Sequence, residues 1–211
     1  VLVTHSNVCL LTDFRYIEQA QQQAPECKLV QFRHYAPVVT LRILMEDMEV
    51  VTLGIESDRC TVDEFERLAN QVRRKAITPL KGFVEEIRQI KDEEEIAQIA
   101  RAEAIGDEAF LHVLKLIKPG MTELEIAMEL EFQMRRSGAS GVSFDTIVAS
   151  GKRSSMPHGV ASAKKVEAGD FITMDFGCMY QGYCSDMTRT IALGKVDEKQ
   201  ETVYNLSLIH I

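Results

Sequence analysis

No stretch of this sequence reaches the roughly 18 consecutive apolar residues that read as a membrane span, and no cluster of basic residues exceeds a few positions. The first absence argues against a membrane helix. The second argues against nucleic acid as a partner, since 24 Lys and Arg stand against 32 Asp and Glu for a net charge of −8 and broad phosphate binding needs a basic face. None of the five cysteines (Cys9, Cys27, Cys60, Cys178 and Cys184) belongs to a CxxC pair, so neither a zinc knuckle nor a thioredoxin-type site is indicated. Their odd number and scatter in a long chain exclude a disulfide scaffold, and reduced thiols in a cytoplasmic protein are the expectation. Internal repeats and low-complexity segments are also missing. So are an initiator Met and a basic leader: Val1-Leu2-Val3-Thr4 reads as the middle of a strand. At the other end, Ser207-Leu208-Ile209-His210-Ile211 follows a helix start and stops without a cap. The expectation is a piece of a longer chain, truncated at both ends.

What remains is an ordinary globular composition, 45% hydrophobic and 27% charged over 211 residues. At roughly 150 residues per domain, that length suits one large or two small domains. Val8–Leu11, Leu29–Phe32 and Met48–Gly54 read as strands. Thr12-Asp13 can cap a helix over Phe14–Gln23, and Thr61 with Glu64 forms a capping box that opens a helix toward Lys75. Strands alternating with helices indicate a small α/β unit. Thr78-Pro79-Leu80-Lys81-Gly82 has linker punctuation, which divides the chain into residues 1–80 and 81–211. Beyond it, Asp92 with Glu95 marks a helix start. Apolar residues at Ile96, Ile99, Phe110, Val113, Leu114 and Ile117 keep helical spacing until Pro119-Gly120. Thr122 with Glu125 opens a further helix that runs to Ser137-Gly138.

Chemistry concentrates in the last third, where Ser143–Ser150, Phe171–Gly177 and Tyr183–Leu193 read as strands. If the last two form a hairpin turning at Tyr180-Gln181, Asp175 falls opposite Asp186 and Thr173 opposite Thr188. Opposed residues share a face, with Cβ atoms roughly 4.5–5.5 Å apart. One face then carries Thr173, Asp175, Asp186, Thr188 and Thr190, and the other carries Ile172, Met174, Phe176, Met187 and Ile191. Opposed carboxylates repel, and Asp is a poor strand former. A shared proton or a divalent cation would compensate, the cation better, because carboxylate oxygens are hard ligands. A solvated polar face with outward-looking Asp side chains is the alternative, and a one-residue slip would separate the two carboxylates onto different faces. The loop Gly151–Gly159 adds His158, held between Pro157 and Gly159, as an acid/base, substrate clamp or ligand. His112 fits a helix, and His5, His34 and His210 have no partner pattern.

At these residues the sequence resembles the pita-bread metallopeptidases, and within them the Xaa-Pro aminopeptidase and prolidase branch. The resemblance rests on Met174-Asp175-Phe176-Gly177 with Tyr183–Thr190, on Ser143–Gly151, on Pro157-His158-Gly159 and on Ile117–Thr122. It extends upstream through Thr12–Tyr16 and Glu86–Glu95, covering about residues 10 to 206 in order. It implies an α/β (α+β) architecture: an incomplete creatinase-like N-terminal domain followed by the first half of a pita-bread catalytic domain.

The resemblance further implies two divalent metal ions, manganese first with cobalt or zinc as alternatives, held by two Asp, one His and two Glu. Asp175 would chelate one ion and Asp186 would bridge both. His158 would contact the substrate and the tetrahedral intermediate from outside the metal shell, and Phe144 would line the pocket. The implied substrate is a peptide with proline at its second position, and the implied assembly is a homodimer. The family's His and Glu ligands lie downstream of these 211 residues, so this chain carries two of the five. A non-catalytic peptide- or protein-binding module on the same fold is the other reading, with the intact Asp pair favouring the enzyme.

Overall fold

The structure, a computed structural model, describes residues 1–32, 37–72 and 76–209. It divides into two compact units, Val1–Ile90 and Lys91–Ile211. His34 and His210 lie outside the described residues.

In the first unit, β1 (Leu2–Val3), β2 (Val8–Thr12), α1 (Ile17–Gln23), β3 (Lys28–Gln31), α2 (Pro37–Asp47), β4 (Thr52–Glu56), α3 (Val62–Gln71), β5 (Ala76–Leu80) and α4 (Phe83–Arg88) follow in order. Strand β2 pairs antiparallel with β1 and parallel with β3, and β4 pairs parallel with β5. The Thr61–Glu64 capping box opens α3 as its sequence predicts, an arrangement worth about 1 kcal/mol. Asp13 caps a single 3-10 turn, Phe14–Tyr16, before α1 begins. Leu2, Cys9, Leu44, Met45, Leu53, Leu68 and Val72 form the core.

The expected boundary at residue 80 moves to Ile90. Thr78, Pro79 and Leu80 are not a linker but the end of β5, aligned with Gly54, Ile55 and Glu56 of β4. Pro79 is tolerated because a two-stranded sheet has only edges, where a missing N–H donor leaves no ladder bond unmade.

The second unit contains α5 (Glu93–Val113), α6 (Glu123–Arg136), β6 (Gly141–Val142), β7 (Ile147–Ser150), β8 (Phe171–Phe176), β9 (Cys178–Tyr180), β10 (Tyr183–Cys184), β11 (Met187–Ala192) and α7 (Glu198–Ile209). Both helix starts carry the capping boxes read from sequence, Asp92 with Glu95 and Thr122 with Glu125. The buried stripe of α5 is Ala102, Ile105, Gly106, Ala109 and Val113, while Ile96 is exposed. Gly106 lets β11 approach the helix closely, since a Cβ there would stand 2.6 Å from the Met187 methyl. Strands β11, β8 and β7 form one antiparallel sheet with β8 central. Its inner face (Val148, Ile172, Met174, Phe176 and Met187) packs with α5 and α6 residues in one buried cluster. Phe110 and Phe176 stack at 6.2 Å between centroids, a favourable aromatic distance. All five cysteines are free. Among the described residues no helix is long and apolar enough to cross a membrane.

Candidate metal centre

The hairpin that carries both Asp residues turns at Gln181-Gly182, whose φ angles are 49° and 84°. Two consecutive left-handed residues make a type I′ turn, the two-residue connection whose twist suits a hairpin. Tyr180 and Tyr183 close it. The predicted turn at Tyr180-Gln181 is therefore displaced, and the register shifts by two residues. Asp175 lies opposite Thr188 rather than Asp186, and Thr173 lies opposite Thr190. An even shift preserves which face each residue takes, since side chains alternate with a period of two. Asp186, just before β11, falls at the position diagonal to Asp175 when that register is continued, a relationship with a typical separation of roughly 7–8 Å in a regular ladder.

Two hydroxyl contacts organise that face. Thr188 Oγ1 donates to Asp175 Oδ1 at 2.9 Å, and Thr173 and Thr190 share a hydrogen bond between hydroxyls at 3.1 Å. Among the described residues neither Asp175 nor Asp186 forms a salt bridge. Two acidic side chains with no cationic partner on one strand pair call for a compensating charge.

Between Cys184 and Met187 the ladder opens without changing register. Ser185 N–H still donates to the Cys178 carbonyl at 2.8 Å, but Cys178 N–H donates to Ser185 Oγ at 3.0 Å rather than to the Ser185 carbonyl. That carbonyl accepts from Ser143 Oγ at 2.6 Å, and the N–H of the same peptide, at Asp186, donates to Glu103 Oε1 on α5 at 3.3 Å. The Ser185–Asp186 peptide is turned out of the sheet and satisfied by two side chains. Gly177, opposite Asp186, makes this possible: a Cβ there would stand 2.0 Å from the Ser185 carbonyl oxygen. Ser143 lies before β7 rather than within it; its N–H donates to the Gly177 carbonyl at 3.0 Å, which ends the longer strand expected over Ser143–Ser150.

The loop bearing His158 borders the same face. Val160 bridges Ile147, the residue paired with Asp175 across β7 and β8. Gly159 approaches Ala149 so closely that a Cβ would stand 2.9 Å from the alanine methyl, and Ala149 is aligned with Thr173. His158 is exposed at this rim, Phe144 and Asp175 are half-buried, and Asp186 is exposed. Among the described residues no three His, Cys, Asp or Glu converge as a metal-binding group. A shallow acidic pocket of about 390 Å³ lies at the hairpin tip instead, lined by Asp92, Glu94, Glu95, Gln98, Gln181 and Tyr183. None of the candidate residues belongs to it. There Tyr183 Oη donates to Glu95 Oε1 at 2.9 Å, a bond that pushes the phenol up from its ordinary range.

Sequence reasoning missed Ser143, Ser185, Gly177 and Glu103. The one legible signal among them was Gly177 at the point where the strand pattern broke off. Glu103 shows only as one polar position among several on α5.

The family model for metallopeptidase family M24 matches residues 97–210, and that for the creatinase/prolidase N-terminal domain matches residues 1–90. A Bacillus subtilis peptidase, YqhT, is 40% identical over 206 residues, covering 97% of this chain and 58% of that protein. The Xaa-Pro dipeptidase of Bacillus anthracis superposes with a TM-score of 0.92 at 42% identity, covering 98% of this chain and 57% of its own. The X-Pro aminopeptidase of Thermotoga maritima gives a TM-score of 0.92 at 37% identity, with coverages of 98% and 58%. The chain spans little more than half the length of each.

Proposed function

Because the chain belongs to metallopeptidase family M24, we propose that it contributes the first two metal ligands, Asp175 and Asp186, to a peptidase that cleaves the bond preceding proline. The observation that supports this reading is the pair of carboxylates on one hairpin, Asp175 in β8 and Asp186 just before β11, with no salt-bridge partner among the described residues and bordered by the His158 loop. Hard carboxylate oxygens suit divalent cations, and the two residues fit that role as part of a larger ligand set. When bound, a pair of such ions lowers the pKa of water enough to supply a nucleophile near neutral pH. Manganese is the proposed metal, with cobalt or zinc as alternatives.

This chain's own residues then have definite tasks. The Thr188 hydroxyl occupies one lone pair of Asp175 Oδ1 and fixes the carboxylate's orientation, as partners of ligating carboxylates do. The turned-out Ser185–Asp186 peptide, anchored by Ser143 and Glu103, sets where Asp186 projects. His158 donates a hydrogen bond to the substrate oxygen that gains charge as the carbonyl becomes tetrahedral, the point where a fixed donor has most effect. Phe144 lines the pocket for the prolyl ring. The protein acts in the cytoplasm as a homodimer on peptides with proline at the second position. Hydrolysis of an Xaa-Pro dipeptide and its Xaa-Ala counterpart by the full-length protein, before and after chelation and manganese add-back, tests the reading. Metal-restored cleavage confined to the Xaa-Pro substrate is the expected result, and cleavage that ignores either proline or chelation would overturn it.

A further inference from the structure

Glu123, the first residue of α6, is the one buried acidic residue among the described residues and takes no part in the carboxylate pair. Its side chain has no solvent exposure. Oε1 accepts from Ser150 N–H at 2.8 Å and Ser150 Oγ at 2.9 Å. Oε2 accepts from Ser162 N–H at 3.2 Å, from Ser162 Oγ at 2.7 Å and from the Arg153 guanidinium. One carboxylate therefore holds both ends of the segment that carries His158, at Ser150 where it leaves β7 and at Ser162 where it returns.

The same network reaches inside the loop. Arg153 Nη1 donates to Ser162 Oγ at 3.0 Å, and Arg153 Nη2 donates to the Val160 carbonyl at 2.9 Å. Val160 is the residue that bridges Ile147, alongside Asp175. Lys164 Nζ donates to Ser150 Oγ at 2.8 Å and pairs with Asp170 at 2.9 Å. A buried charge is costly unless its lone pairs are filled, and here they are filled entirely by the loop's two ends and its arginine. A simple helix start would not need this: Thr122 and Glu125 already cap α6.

We propose that Glu123 is a positioning residue that staples the Gly151–Ala161 loop at both ends and so holds His158 over the Asp175/Asp186 face. The catalytic part of this statement rests on the functional reading above, whereas the staple itself does not. Glu123→Gln keeps the shape but turns an amide NH₂ toward donors, which removes the Arg153 ion pair and opposes either Ser150 or Ser162. A displacement of about 1 Å at a catalytic group can cost on the order of 10²-fold in rate.

The test uses the full-length protein, with amide exchange followed by mass spectrometry and steady-state hydrolysis of an Xaa-Pro dipeptide at measured metal content. Glu123→Gln is expected to speed exchange in Gly151–Ala161 while β8 and α5 remain protected. It should also lower kcat by about 10²-fold, with KM and bound metal little changed. Wild-type loop exchange in the variant would overturn the staple. If Glu123→Gln does not fold, Ser162→Ala decides, because it removes only one hydroxyl from the network. Faster exchange confined to the loop supports the proposal, and a uniform rise across β8 and α5 shows a merely structural role and overturns it. His158→Ala with wild-type turnover would remove His158's part in the functional reading, and with it the catalytic part of the proposal, while leaving the exchange result as the test of the staple.

Discussion

Thr188 donates a 2.9 Å hydrogen bond to Asp175 from the directly opposed position of the hairpin. The bond takes one lone pair of Oδ1 and sets the carboxylate's rotamer, while leaving Oδ2 free of it. Partners of this kind commonly contribute 10–100-fold to metal affinity. Thr188→Val keeps the side-chain shape and removes the hydroxyl. In the full-length protein it is expected to cost no more than about 1 kcal/mol of stability but to weaken manganese binding by about 10-fold or more. Calorimetric titration beside urea unfolding separates the two effects.

Gly177 has a different kind of importance. Its Cα faces the Ser185 carbonyl so closely that a methyl group could be accommodated only by moving backbone. Overpacking of this sort typically costs 1–3 kcal/mol. Gly177→Ala is expected to lower the urea midpoint correspondingly and to return the Ser185–Asp186 peptide toward the ladder. Loss of the Ser143 hydroxyl contact, followed by exchange at the Asp186 amide, would report that return.

The contrast between Asp175 and Asp186 shows what the sequence makes legible. Alternation separated the polar face of β8 and β11 from the buried one, because the pleat fixes sidedness and a one-residue displacement of the turn changes the pairing by two residues. Which residues oppose each other depended on φ at Gln181 and Gly182, and the Gly at position 182 was the available clue to a turn there. Capping boxes at Thr61, Asp92 and Thr122 were readable because both partners lie three residues apart. The Glu123 network was not, since its partners come from Ser150, Arg153 and Ser162, brought together only by the fold. Position 90 as the division likewise depended on β4 and β5 pairing, which punctuation around Pro79 concealed.

Glu123 also predicts a pH dependence. Burial pushes its carboxyl up, but the Ser162 and Ser150 hydroxyls, the Ser150 N–H and the Arg153 guanidinium outweigh it and hold the group below its ordinary value. The unfolded chain then binds more protons in the acid range, so stability rises with pH there. The contribution is complete above the usual carboxylate value of about 4.3 and is lost as pH falls through the lower folded value. Lys164 and Asp170 face the same network as a pair through Ser150. Wild-type protein minus Glu123→Gln, followed by urea unfolding between pH 7 and pH 3, should show a stability difference that shrinks on acidification. A difference independent of pH would mean that the carboxylate's charge contributes nothing.

The 211 residues by themselves are predicted to be inactive on an Xaa-Pro peptide, with or without manganese. Two carboxylates cannot complete the coordination of two ions held together with water between them, and among the described residues no third ligand joins them. The assay compares this chain with a version extended to the length of its relatives. Comparable specific activity from both would show that further ligands are dispensable.

Asp175 and Asp186 are expected to serve one metal centre from the two arms of a single hairpin. The most direct test is the manganese content of the full-length protein and of its Asp186→Asn variant, measured together with Xaa-Pro turnover on the same samples. The variant is expected to fold, to lose at least one bound ion per chain and to lose turnover by several orders of magnitude, the scale on which groups acting as a catalytic unit fail. Full metal occupancy with wild-type turnover in Asp186→Asn would contradict that shared role.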